Sequence, residues 1–230
     1  MIVDSVYDHS MFINVVKQSF ENYLTFGKRS SKKMLPIHNY LADVMSSVFG
    51  SNYEVYCMER NREYKVTGKY YDKNVDIAVV KNNTPVMCLG VKFITSNYKQ
   101  NANNYFEAIL GETANVQSME NIPYAHMMVF RRNTPYYDAS GNIKKIETLH
   151  DEDMRKYIKL MFDLAYLHKP FGLGISIVDI EDTFVSESDY YSIFSTKVAD
   201  VLTNTLSNKK LFQDIIDRKI YLDYKTMEEQ

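Results

Sequence analysis

Two apolar runs near the middle of the chain set the strongest limit on its fold: Val75-Asp76-Ile77-Ala78-Val79-Val80 and Val86-Met87-Cys88-Leu89-Gly90-Val91-Lys92-Phe93. Both are rich in β-branched residues, and the polar turn Lys81-Asn82-Asn83-Thr84-Pro85 separates them. That pattern predicts a pair of adjacent core strands. The first run carries an acid, Asp76, and the second a base near its end, Lys92. A charge in a core strand is costly unless it is paired or holds a metal.

The rest of the chain supplies an α/β setting for that pair. Residues 10–24 and 34–49 have apolar residues at near-helical spacing, the second with Pro36 in its first turn and Gly50 just beyond its end. Residues 53–59 and 62–71 alternate and are rich in Tyr and Val, which predicts two strands before the central pair. A helix is expected over 101–117, a strand over 124–130 lying parallel to 85–93, a polar loop around Ser140-Gly141-Asn142 and a helix over 151–163. A last strand over 173–180 and helices over 189–206 and 208–218 complete the pattern. The expected fold class is α/β, a mixed sheet flanked by helices, in one domain with a core at about 34–180 and C-terminal helices at about 186–220.

Composition narrows the function classes. A length of 230 residues suits one domain with a substantial core. No stretch of about 18 apolar residues occurs, so no membrane helix is expected. The start of the chain lacks a secretory pattern, and Cys57 and Cys88 both sit in strand-like runs, so a reducing cytoplasm is the expected location. A net charge of −2 argues against a purely electrostatic nucleic-acid binder. The charge is partly segregated, however: residues 27–33 hold four cations, and Arg60, Arg62, Lys65, Lys69 and Lys73 follow with few acids between them.

An acid and a lysine facing one another across neighbouring strands suit metal-dependent phosphodiester hydrolysis, the carboxylate holding Mg²⁺ and the ammonium positioning the attacking water. The spacing of Asp76 and Lys92 resembles the PD-(D/E)XK nuclease superfamily, and within it the type II restriction endonucleases. The resemblance in motif covers about residues 70–115 and in element order about 34–180. It implies a restriction-endonuclease-like fold, a Mg²⁺-dependent DNA endonuclease, double-stranded DNA as substrate, a homodimer and a cognate DNA methyltransferase as a genetic partner. Asp76 would then be the central metal ligand, Lys92 the water-positioning cation, and the Val91 carbonyl a further ligand. The family's second acid stands two residues before the lysine, where this chain has Gly90.

Some enzymes resembling this pattern supply the missing carboxylate from the following helix, and here that helix carries Glu107 and Glu112. With about 3.3 Å per strand residue and about 1.5 Å per helix residue, the helix draws level with Lys92 around 106–110. Glu107 fits that depth, whereas Glu112 lies at the border of the apolar face; Glu107 is the expected ligand and Glu112 the alternative. The glycine at position 90 would leave room for the longer side chain.

Five amides fall within residues 97–104, and Asn97, Gln100, Asn101 and Asn103 suit a surface that bonds phosphates, sugars or base edges. Gln100 or Asn103 would also orient the lysine, if the resemblance holds. Arg131-Arg132-Asn133, directly after a strand, suits base reading in the major groove. In the C-terminal helices, Tyr190, Tyr191, Ile193, Phe194, Val198 and Val201 are a candidate dimer interface or core. Two other readings stay open: a nucleic-acid-binding protein whose centre has decayed at Gly90, and an α/β protein in which Asp76 and Lys92 form a structural ion pair. The five scattered histidines give no zinc-ligand spacing, and His38 reads as structural. There is no Gly-rich phosphate loop and no Gly-X-Ser-X-Gly elbow.

Overall fold

The computed structural model describes residues 2–27, 29–120 and 122–228. The chain opens with helices α1 (His9–Phe26) and α2 (Leu35–Phe49). Asp8 caps α1 by accepting a hydrogen bond from the Met11 N–H, and α2 stops at Gly50, whose φ of 75° is left-handed. Strands β1 (Glu54–Cys57), β2 (Tyr64–Val66), β3 (Lys73–Val75), β4 (Ile77–Lys81) and β5 (Thr84–Ile94) follow. Helix α3 (Tyr98–Glu120) leads to β6 (Tyr124–Arg131), β7 (Asn133–Tyr137) and β8 (Ile143–Thr148). The chain then runs through α4 (Asp151–Phe162), β9 (Leu173–Glu181), β10 (Phe184–Glu187), α5 (Tyr190–Ile193), α6 (Thr196–Asn204) and α7 (Asn208–Glu228).

Six strands form one mixed sheet in the order β1-β4-β5-β6-β9-β10. The β1-β4-β5 pairs and the β9-β10 pair are antiparallel, while β5-β6 and β6-β9 are parallel. Alternation along β5 and β6 divides the core between two faces. Met87, Leu89, Val91, Phe93, Ala125, Met127 and Val129 pack against α1, α2 and α7. On the other face Ile94, Met128 and Phe130 pack with α3, α4 and α6, and Cys88 and Tyr124 pack with Val66, Val75 and Val116. The result is a mixed α/β sheet covered by helices on both faces, the expected fold class. Both cysteines are free and buried, and they point into different core clusters.

Three local expectations are corrected. The long strand expected over 62–71 is only the short β2, which pairs with β3 in a separate two-stranded ribbon. Gly68 explains the break, because a Cβ there would lie 2.1 Å from Asn115 Nδ2 and 2.5 Å from the Tyr71 carbonyl oxygen. Asn115 fastens that crossing: its Oδ1 accepts from Tyr70 N–H and its Nδ2 donates to the Tyr71 carbonyl. The polar loop around residue 141 is the tip of a hairpin, β7 with β8. Most of β8 is exposed, so it carries no core alternation that a sequence pattern would reveal. The single helix expected over 189–206 is two, α5 and α6, parted where Ser195 N–H donates to Asp151 Oδ1.

Candidate active site

The strand expected over 75–81 bends at Asp76, so β3 ends before it and β4 begins after it. β4 pairs with β5 only as far back as Ile77 opposite Leu89. From Gly90 to Ile94, therefore, β5 has β6 on one side and no strand of β4 on the other. Asp76 fills the first vacant rung: its Oδ2 accepts the Val91 N–H at 2.7 Å. A residue's N–H and C=O point to the same side of a strand, so the Val91 carbonyl faces this gap as well.

Lys92 follows on β5 and meets Glu112 of α3, with Nζ 3.8 Å from Glu112 Oε1. Lys73 of β3 approaches the same oxygen more closely, at 2.9 Å. The Tyr124 hydroxyl donates to Glu112 Oε2 at 3.4 Å. Burial alone would raise the Glu112 pKa, but the Lys92 and Lys73 ammoniums outweigh it and hold the carboxyl below its ordinary value. Glu112 is thus an anion held between two cations. Glu63, half-buried, is pushed the other way, by burial and by repulsion from Asp76, against the pull of Lys73.

Gly90 has a specific steric role. A Cβ on it would lie 2.9 Å from both Tyr124 Oη and His126 Nδ1. The space that sequence reasoning assigned to a long helix side chain is occupied by these two β6 rings, and Glu112 joins through the tyrosine. Tyr124 is held well above the ordinary phenol value by burial first, then by Glu112 and Asp76. His126 is fully buried, its Nε2 lies 2.9 Å from Thr113 Oγ1, and burial pushes its pKa down to about 3. It is a neutral ring at neutral pH.

His38 completes the cluster from the opposite helical layer. It is buried on α2, and neither ring nitrogen has a hydrogen-bond partner. Burial lowers its pKa, with Asp76 working against that and Lys92 adding to it. The sequence held a signal for it: His38 lies on the same buried stripe of α2 as Leu41, Ala42 and Met45. A polar residue on such a stripe calls for a partner. Lys73, Tyr124 and His126 gave no comparable signal, because their roles depend on pairings distant in sequence.

Of the two glutamates on α3, the structure turns Glu112 towards Lys92, with its side chain 14% exposed. Glu107 is exposed and stands in the field of Lys156 on α4. Five residues separate them, about 140° around a helix, so both cannot face the sheet. The depth estimate favouring Glu107 is therefore corrected: direction around the axis decides, and Glu112 is the residue that faces the lysine.

The amide and arginine candidates are largely engaged within the chain. Asn97, left-handed with φ 51°, accepts the Tyr137 N–H at its Oδ1 and anchors the β7–β8 hairpin. Asn101 Nδ2 donates to the Asn97 carbonyl, Asn103 Oδ1 accepts from Lys156, and Gln100 is exposed. Arg131 donates to the Ile180 carbonyl beneath the Phe20 ring, Arg132 pairs with Asp179, and Asn133 accepts from Thr148. Asn97 and Asn101 nonetheless border a cleft of 300 Å³ at the end of β5, together with Arg29, Lys33, Thr95 and Ser96.

The donors available to a metal are oxygens: one free oxygen of Asp76, the Val91 carbonyl and Glu112. Among the described residues no three His, Cys, Asp or Glu side chains form a metal-holding group. Mg²⁺ typically takes one or two carboxylates and keeps several waters, so this oxygen set suits it without a complete protein cage. No family model matches this chain, and no curated protein or solved structure is detectably similar to it.

Proposed function

We propose that the chain is a Mg²⁺-dependent endonuclease that hydrolyses DNA phosphodiester bonds, in the manner of the type II restriction enzymes it resembles. The observation that carries this reading is that Asp76, from a bend, bonds the Val91 N–H on the unpaired flank of β5, while the next residue, Lys92, meets Glu112 of α3. Asp76, the Val91 carbonyl and Glu112 would hold the ion, which supplies charge neutralisation at the phosphate and a more acidic bound water. The Lys92 ammonium orients the attacking water and offsets the charge that develops on the phosphate oxygens. Lys73 and Tyr124 fix the Glu112 carboxylate from either side. The cleft with Arg29 and Lys33, a few residues beyond Lys92, offers cations and amides to the substrate backbone.

Double-stranded DNA is the proposed substrate and a homodimer the proposed working form, since cutting both strands of a palindrome calls for two centres related by a twofold axis. A methyltransferase of the same sequence specificity is the expected genetic partner. A second reading, a nucleic-acid-binding protein with a decayed centre, draws support from the closer contact of Lys73 with Glu112, 2.9 Å against 3.8 Å for Lys92. Incubating plasmid DNA with the protein in Mg²⁺ and in EDTA tests both. Discrete fragments in Mg²⁺ alone support the nuclease; binding without cleavage supports the decayed centre; neither binding nor cleavage overturns both.

A further inference from the structure

Both oxygens of Glu112 already have partners. Oε1 meets two ammoniums, Lys73 Nζ at 2.9 Å and Lys92 Nζ at 3.8 Å, and Oε2 accepts from the Tyr124 hydroxyl at 3.4 Å. The carboxylate side chain is 14% exposed and the lysines 25% and 30%, so solvent screens these charges only in part. Two positive charges therefore stand against one negative charge.

The two lysines differ in hold and in setting. Lys73 donates a hydrogen bond to Oε1, whereas Lys92 at 3.8 Å stands beyond hydrogen-bond distance. Lys92 belongs to β5, a central strand paired with β6 through that position. Lys73 comes from β3, in a ribbon of two three-residue strands outside the main sheet. The ribbon is aimed at Glu112 by the same helix: Asn115, three residues further along α3, bonds the backbone of Tyr70 and Tyr71 just ahead of Lys73. A carboxylate oxygen that ligates Mg²⁺ lies about 2.1 Å from it, closer than either ammonium stands to Oε1. Like charges gathered on one partly buried oxygen repel strongly. The ammonium bonded to Oε1 is the one that must yield, and its flexible stem allows it to.

We propose that Lys73 is a place-holder for the divalent ion: it fixes and neutralises Glu112 until the ion binds, then gives up Oε1. The proposal rests on the reading of Glu112 as a Mg²⁺ ligand and deepens it. It gives the short Lys73 contact a part in a working centre instead of a decayed one.

Calorimetric titration of the full chain with Mn²⁺, which takes the same oxygen ligands, tests the exchange without DNA. Lys73→Met and Lys73→Gln should each bind Mn²⁺ about tenfold more tightly than the parent, the scale of one charge-assisted hydrogen bond. Lys73→Arg keeps a cation at Glu112 and should bind no more tightly than the parent. Lys65→Gln removes the same charge from the outer side of the ribbon, where Lys65 pairs with Asp72, and should leave the affinity near the parental value. Urea melts in EDTA check that each variant folds. Equal or weaker binding by the two Lys73 variants overturns the proposal and leaves the Mg²⁺ centre standing. The same gain in Lys65→Gln reduces the effect to net charge and overturns it as well. Binding by the Lys73 variants but not the parent makes the lysine a permanent substitute for the ion, which overturns the exchange and favours the decayed centre. Binding by no form overturns the proposal and the Mg²⁺ centre together.

Discussion

At the level of single residues, the centre rests on charges whose neighbours are known. Asp76→Ala should abolish Mg²⁺-dependent cleavage and cost about 1 kcal/mol of stability, because the Val91 N–H loses its acceptor. Urea melts and fragment patterns of mutant and parent measure the two effects, and full cleavage by the mutant would remove the assignment. Lys92→Ala should slow cleavage about 10²–10⁴-fold, and Lys92→Arg should not restore it, since a planar fork does not replace a compact ammonium. Glu112→Gln should lower single-turnover cleavage by orders of magnitude and Glu107→Gln should leave it near the parental rate; the opposite order would return the second acid to Glu107. His126 adds a pH dependence. Its folded pKa of about 3 lies below the ordinary 6.5, so the unfolded chain binds the proton first. Its contribution is complete above about pH 6.5 and is lost as pH falls towards 3, by up to about 2 kcal/mol between pH 6.5 and pH 5. Denaturant melts at pH 7 and pH 5 should show that loss in the parent and a smaller one in His126→Leu. That Asp76 lies close to Val91 and Lys92 was legible because two apolar runs joined by a short turn pair as neighbouring strands. Which glutamate faces them was not, because it depends on the rotation of α3 relative to the sheet.

Among the elements, the link between the β2–β3 ribbon and α3 matters most to the site, since β3 delivers Lys73 and α3 delivers Glu112. Asn115 and Gly68 hold that link. Gly68→Ala should destabilise the chain by about 1–3 kcal/mol, the usual cost of overpacking, because the added methyl meets a carbonyl oxygen as well as a side chain. Urea denaturation decides it, and a change within about 0.5 kcal/mol would mean that the ribbon shifts freely. Element order was readable where apolar periodicity was strong, as in α2, β4, β5 and β6. It failed where exposure removed the pattern, as in β8, and where one tertiary hydrogen bond split a helix, as at Ser195. The proposed interface residues follow the same division: Tyr190 and Phe194 are buried and Ile193, Val198 and Val201 pack against the core, leaving Tyr191 exposed.

For the whole molecule, charge and edges govern association. The net charge of −2 leaves any attraction to DNA to local cations such as those at the 300 Å³ cleft. Arg29→Ala should reduce the slope of log affinity against log salt by about 0.9 if the side chain neutralises one phosphate. Binding titrations across a salt series measure it, and an unchanged slope would take Arg29 out of the DNA path. Among the described residues no helix is long and apolar enough to cross a membrane. The sheet ends at β1 on one side and β10 on the other, each only four residues long. Edges this short give an incoming chain few backbone groups to pair with, which protects a β-rich protein from open-ended stacking. A contact between two copies made through helices or loops would leave each sheet whole.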